Sequence, residues 1–106
     1  MALFKKNKNE KKEAQMNSEL IRSLDQKPIR YVLKREPDGE VIIGRAGCIN
    51  VMDDELSIVC NNVDVFRGKI DRIHAATLLS LEGIVLTYTE DSGETTAYVA
   101  YYKYYR

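Results

Sequence analysis

TTAYVAYYKYYR, residues 95–106, is the stretch that decides the predicted fold of this 106-residue chain. Five of the seven tyrosines lie within it. β-branched and aromatic residues favour a strand, and the alternation of a strand would place aromatic side chains on both of its faces. We therefore predict that this segment is a strand that joins the carboxyl end of the chain to a sheet. A helix with residues 98, 101, 102 and 105 on one face is the alternative.

Short β segments separated by turn residues precede this stretch. The turn signals are PDG at 37–39, NN at 61–62 and DSG at 91–93. Gly44 and Gly47 interrupt the longest segment, residues 40–52, and predict a bend or bulge there. Strands at this spacing predict a mainly β fold, either a small antiparallel barrel or a strongly bent sheet of about six strands.

Residues 71–82, DRIHAATLLSLE, are compatible with two structures. As a helix, the segment would be capped by Asp71 and ended by Gly83. As a strand, it would place Ile73, Ala75 and Thr77 on one side. We expect a short helix near 71–82, with the strand as the alternative.

The chain divides into a polar amino-terminal arm, residues 1–27, and a single β-rich domain, residues 28–106. Its formal net charge is zero, but the arm carries +3 and the domain −3. An acidic domain disfavours binding to nucleic acid, because attraction to phosphate supplies most of the affinity of such proteins.

Within the arm, residues 1–12 are rich in lysine, asparagine and glutamate and predict disorder. Apolar residues at helical spacing predict a short helix over 13–26, which Pro28 would end. Leu3 and Phe4, followed by lysines, are the elements of a membrane-surface contact. A solvated tail is the favoured interpretation of that segment.

The location that we expect is the cytoplasm. The apolar start of the chain is too short for a secretory signal, and no apolar run approaches the roughly 20 residues that a membrane helix needs. Cys48 and Cys60 are then expected to be reduced thiols.

Cys48, Cys60 and His74 are the candidates for chemistry. If a three-residue loop joined the two segments that carry the cysteines, Met52 would face Leu56 and the two thiols would lie opposite each other. Two cysteines and one histidine without a C-x-x-C pair do not make a zinc site, and His74 lacks a partner at a catalytic spacing. We therefore predict no catalytic residue, no metal and no cofactor, with a small thiol-based enzyme as an alternative.

Tyrosine suits surfaces that are half buried, and both tyrosine and arginine are enriched at binding hot spots. We predict that the protein is a non-catalytic protein-interaction or scaffold module. Its partner would be another protein or a second copy, since a terminal strand is often an open edge. A domain that stacks single-stranded nucleic acid on its tyrosines is the alternative. The predicted partner-binding residues are Tyr98, Tyr101, Tyr102, Tyr105 and Arg106.

The run GCINVMDDELSIVCNNVDVFRGKI, residues 47–70, resembles the early strands of small bacterial domains of the pleckstrin-homology-like type. The matching residues are Gly47, Ile49, Val51, Leu56, Ile58 and Phe66. The resemblance implies a partly open β-barrel with a binding or scaffold role and no catalysis. The resemblance also implies an amphipathic carboxyl-terminal helix, which this sequence lacks unless the tyrosine segment supplies it. No basic cluster for a phosphoinositide is found on the loops, so no headgroup-binding residue is assigned.

Overall fold

Seven antiparallel strands form one sheet in the order β4-β3-β2-β1-β7-β6-β5. The computed structural model describes residues 2–104, with side chains for residues 12–104. A helix precedes the strands. The elements are α1 Ala2–Arg22, β1 Lys27–Glu36, β2 Gly39–Met52, β3 Glu55–Cys60, β4 Val63–Lys69, β5 Ile73–Thr77, β6 Gly83–Thr89 and β7 Thr95–Tyr102.

The mainly β, antiparallel prediction is confirmed, and the sheet is not closed into a barrel. It nevertheless bends over on itself. The Phe66 ring of β4 lies 4.6 Å from the Tyr98 ring of β7 and 5.6 Å from the Tyr88 ring of β6, measured between centroids. Strands so far apart in the sheet order make contact only because the sheet curves around a common core.

The prediction of a helix near 71–82 is wrong, and its strand alternative accounts for the seventh strand. Asp71 lies in a 3-10 turn, Ile70–Arg72, that joins β4 to β5. Ile73 and Ala75 are buried, while His74 between them is exposed. Pairing with β6 and this two-residue alternation outweigh the helical pattern of the local sequence.

The expected strand at the carboxyl end is confirmed as β7, but it is not an edge. It pairs with β1 on one side and β6 on the other. The edges of the sheet are β4 and β5 instead. The tyrosine-rich strand is therefore central, because the meander β5-β6-β7 returns to the first strand of the meander β1-β2-β3-β4.

Helix α1 begins at Ala2, ahead of the predicted 13–26, and ends at Arg22, before Pro28. Its carboxyl-terminal part joins the core, since Ile21 is fully buried and Leu24, just beyond the helix, is almost so. The Asn17 side chain donates a hydrogen bond to the Ile73 carbonyl and accepts one from the Ala75 amide, both 2.8 Å. Asn17 thus takes the place of a neighbouring strand along part of the β5 edge.

The turns lie where the sequence predicts them. Asn61 and Asn62 both adopt positive φ and form a two-residue hairpin between β3 and β4. The predicted bend in β2 appears as a register shift opposite Val32 and Leu33 and as positive φ at Ala46.

Candidate functional site

The predicted partner-binding tyrosines divide between the two faces of β7. Tyr98 packs on Phe66 and Tyr102 is buried, so both contribute to the core. Burial raises the pKa of the Tyr102 hydroxyl, and the Nζ of Lys27 lies 5.1 Å from the centroid of its ring. Tyr105 and Arg106 lie outside the described residues, which leaves Tyr101 as the member of the set on the outer face.

Tyr101 stacks on Tyr31 of the neighbouring strand. The ring centroids are 4.8 Å apart and the planes differ by 30°. The two residues are direct cross-strand partners in the β1–β7 register. Both rings remain partly exposed, so they present an aromatic surface on the outer face of the sheet.

An exposed leucine loop lies next to this aromatic pair. Leu79 is fully exposed and Leu81 is 66% exposed in the β5–β6 connection. Two backbone hydrogen bonds hold the loop, from the Leu78 amide to the Gly83 carbonyl (3.0 Å) and from the Leu81 amide to the Leu78 carbonyl (2.9 Å). The leucines are thus presented by an ordered turn, which ends at Gly83, the cross-strand partner of Tyr101.

The end of β7 is tied to this loop and to the start of β1. The Tyr102 amide donates to the Glu82 carbonyl (2.8 Å), and the Lys103 amide donates to the Pro28 carbonyl (3.0 Å). Tyr104, the next residue, is 71% exposed. We call the surface formed at this end by Leu79, Leu81, Tyr101, Lys103 and Tyr104 the terminal patch.

Cations lie within the terminal patch and beside it, on β1. Lys27 and Arg30 lie at the start of β1, and Lys103 follows β7. The Nε of Arg30 donates a hydrogen bond to the Tyr102 carbonyl (3.2 Å), which fixes this guanidinium at the same end. Glu82 is the acidic residue of the adjoining loop.

The opposite ends of β1 and β7 carry acidic and polar residues. The β1–β2 and β6–β7 turns carry six exposed acidic residues, Glu36, Asp38, Glu40, Glu90, Asp91 and Glu94. Three of them form ion pairs, of which the shortest joins Arg72 to Asp91 at 2.7 Å. The β1–β7 pair therefore has cations and apolar side chains at one end and exposed carboxylates at the other. Asp25 and the β2–β3 turn, which carries Asp53 and Asp54, also lie at the end of the sheet where β1 starts.

The two cysteines do not meet. A two-residue turn joins β2 to β3, so Met52 pairs with Glu55 rather than Leu56. This shift of one residue places Cys48 opposite Val59 and Cys60 opposite Gly47, and the thiols point to opposite faces. Burial raises the pKa of the Cys60 thiol, which disfavours the thiolate that a nucleophile requires.

His74 lies in an open cleft of about 630 Å³ between α1 and β5. Glu13, Asp71 and Arg72 share the lining of this cleft. Within residues 12–104, no hydrogen bond or ion pair orients the imidazole. The same region contains no cluster of three or more metal-ligating side chains.

No protein-family model, curated protein or solved structure matches the chain. Within residues 2–104, no helix has both the length and the apolar composition needed to cross a bilayer. The assignment of the terminal patch as a candidate functional site is therefore based on the geometry of the structure alone.

The sequence predicted only some of the residues that form the terminal patch. The tyrosine count pointed to β7, but no binding role was predicted for Leu79 and Leu81, which lie in the segment expected to form a helix. The signal that marks them is their place between Thr77 and Gly83, a span too short for a helix once residues 73–77 pair as a strand.

Proposed function

We propose that the protein is a non-catalytic interaction module that docks through the terminal patch. The observation that carries this proposal is the pair of exposed leucines on an ordered turn, beside Tyr104 and the Tyr31–Tyr101 stack. Exposed apolar side chains that cluster rather than scatter mark interaction sites. A cytoplasmic location, as expected from the sequence, is part of the proposal.

We also propose that the domain is of the pleckstrin-homology-like type. Three features support this proposal: the seven-stranded antiparallel sheet made of two meanders, its incomplete closure between β4 and β5, and the helix whose apolar side chains enter the core. The helix comes from the amino-terminal end of the chain, whereas the resemblance leads us to expect it at the carboxyl-terminal end. The proposed family therefore explains the architecture but assigns no binding residue.

The test compares the native chain with L79S/L81S in lysates of the cells that produce it. Size-exclusion and sedimentation would show whether the chain travels alone or with a larger particle. We expect the wild-type chain in a larger particle and the L79S/L81S chain in the fractions of a free 106-residue protein.

V41S is the matched control, because Val41 is 49% exposed and lies near the acidic end of the sheet. We expect it to travel with the wild-type chain. Wild-type chain that travels alone, or L79S/L81S that stays with the particle, would refute docking through the terminal patch.

A further inference from the structure

We propose that the surface on which the terminal patch docks is an anionic lipid bilayer. This inference rests on the proposed function and names its partner. It uses three independent features of the described residues: the shape of the leucine turn, the cations around it, and the separation of charge between the two ends of the sheet.

The leucine turn has the shape of a membrane-inserting element. Leu79 is fully exposed at the tip of the β5–β6 connection, and Leu81 is 66% exposed beside it. A protein partner would need a pocket to cover a projecting side chain of this kind, whereas a bilayer accepts it without a matching shape. Apolar residues of peripheral proteins enter the boundary between headgroups and acyl chains to a depth of about 5–10 Å.

Tyrosine and lysine are placed where the headgroups would be. Tyr101 and Tyr104 lie beside the leucine turn, and tyrosine rings favour the interface between water and the bilayer. The Nζ of Lys103 lies 5.7 Å from the centroid of the Tyr104 ring. With Lys27 and Arg30 it forms a basic rim that anionic headgroups would attract.

The difference in charge between the two ends of β1 and β7 orients the domain. Six exposed carboxylates lie on the turns at the far ends of β1 and β7, away from the basic rim. An anionic surface repels that end and attracts the other. Three of the six carboxylates form ion pairs, and the other three, Asp38, Glu90 and Glu94, leave this end of β1 and β7 the more acidic one, which favours one orientation on such a surface.

This mode differs from recognition of a single headgroup. No cavity at the terminal patch is required, and the contacts depend on charge and apolar area. We therefore expect phosphatidylserine and phosphatidylglycerol to be equally effective. The anionic lipids of the cytoplasmic leaflet are the natural source of such a surface.

The test is cosedimentation of the purified full-length chain with vesicles. One set contains phosphatidylcholine alone, and the other contains equal parts of phosphatidylcholine and phosphatidylserine. We expect binding to the anionic vesicles to be stronger by about tenfold or more, and to weaken as salt screens the basic rim.

Substitutions separate the apolar and electrostatic contributions. L79S/L81S should weaken binding to anionic vesicles by at least about tenfold, because two leucines no longer leave water. K103Q should weaken it by about fivefold. The controls V41S and K69Q remove an exposed apolar residue and an exposed cation away from the terminal patch, and we expect both to bind like the wild-type chain.

Several outcomes would overturn the bilayer as partner. These are equal binding to both vesicle types, no effect of L79S/L81S, or an equal loss with V41S. Salt-sensitive binding to oligothymidylate without vesicle binding would replace it with nucleic acid. Leucine-dependent oligomers in light scattering without vesicle binding would replace it with a second copy. If L79S/L81S leaves the cellular particle but vesicles are not bound, docking through the terminal patch stands and the bilayer fails.

Discussion

Strands β1 and β7 are neighbours in the interior of the sheet. The side chains exposed to solvent at one end of this pair differ in polarity and charge from those at the other end. At one end, Leu79, Leu81 and Tyr104 are exposed beside Lys103. At the other, two tight turns carry six exposed carboxylates. A fold of this size exposes both ends to water, so stability alone would favour polar turns at each. Docking by the apolar end, as proposed above, would account for this difference.

Backbone hydrogen bonds also hold three segments of the chain together at the apolar end. The start of β1, the β5–β6 loop and the end of β7 are joined there by backbone hydrogen bonds from Tyr102 to Glu82 and from Lys103 to Pro28. Leu24 adds a buried side chain just before β1. A rigid support for exposed residues reduces the entropy that binding would otherwise cost.

Among the substitutions that test this comparison, Leu24→Ala should cause the largest loss in the free energy of unfolding. Leu24 is 2% exposed at the apolar end, and removal of a buried leucine side chain costs about 2–5 kcal/mol. Val41→Ala, at a half-exposed site near the acidic end, should cost about 1 kcal/mol or less. Urea denaturation of both variants would measure the difference. Equal losses would show that the two ends are equally dispensable.

A second pair of substitutions compares one glycine at each end. A Cβ at Gly83 would overlap the Ala100 carbonyl oxygen, so Gly83→Ala must displace backbone and should cost about 1–3 kcal/mol. Gly93 has open space around it but a φ of +93°, so Gly93→Ala should cost about 1 kcal/mol through backbone strain. Thermal unfolding should therefore give the lower midpoint for Gly83→Ala, and the opposite order would contradict the close approach of β6 and β7.

High pH should lower the free energy of unfolding because Tyr102, which lies at the apolar end, loses its proton. Burial raises its pKa above the ordinary value of about 10, so the folded state holds the proton more tightly than the unfolded state. The resulting stability is fully present below about pH 10 and is lost as the pH rises through the folded pKa. Tyr102→Phe should therefore lose less stability than the wild-type chain between neutral and strongly alkaline pH, each being measured against its own value at pH 7. Identical alkaline losses would show that Tyr102 is not the group responsible.

The smallest effect on stability is expected from L79S/L81S. Both side chains are exposed, and surface substitutions usually change the free energy of unfolding by no more than about 0.5 kcal/mol. Circular dichroism during urea denaturation would measure it. A loss of several kcal/mol would mean that these leucines support the fold, and the vesicle experiment would then lose its meaning as a test of docking.

The sequence predicted the sheet where local signals agree and failed where they compete. Turn residues at 37–39, 61–62 and 91–93 and the β-branched segments between them specify most of the strands. Strand β5 was predicted only as the alternative to a helix, because IHAAT has no strong preference of its own and becomes a strand through its pairing with β6. The same competition affected Cys48 and Cys60, whose faces depend on a one-residue difference in a turn.

The candidate site was predictable only in part, because exposure depends on topology. Tyrosine composition located Tyr101, but it did not separate this residue from Tyr98 and Tyr102, which face the core. The apolar and acidic residues lie at opposite ends because β7 pairs with β1. This is a long-range pairing that no local sequence pattern reveals. A terminal strand was expected at an edge, but β7 lies inside the sheet, so the candidate surface lies at the end of this strand and not along an open edge.

Tryptophan fluorescence tests the central claim most directly, because the sequence contains no tryptophan and one introduced residue is the only such reporter. Leu79→Trp and Ser92→Trp place a single fluorescent reporter at the apolar end and at the acidic end, respectively. With vesicles of equal parts phosphatidylcholine and phosphatidylserine, we expect the emission of Leu79→Trp to shift to shorter wavelength and that of Ser92→Trp to stay unchanged. A shift at Ser92→Trp alone, equal shifts at both positions, or no shift at Leu79→Trp would contradict docking by the apolar end.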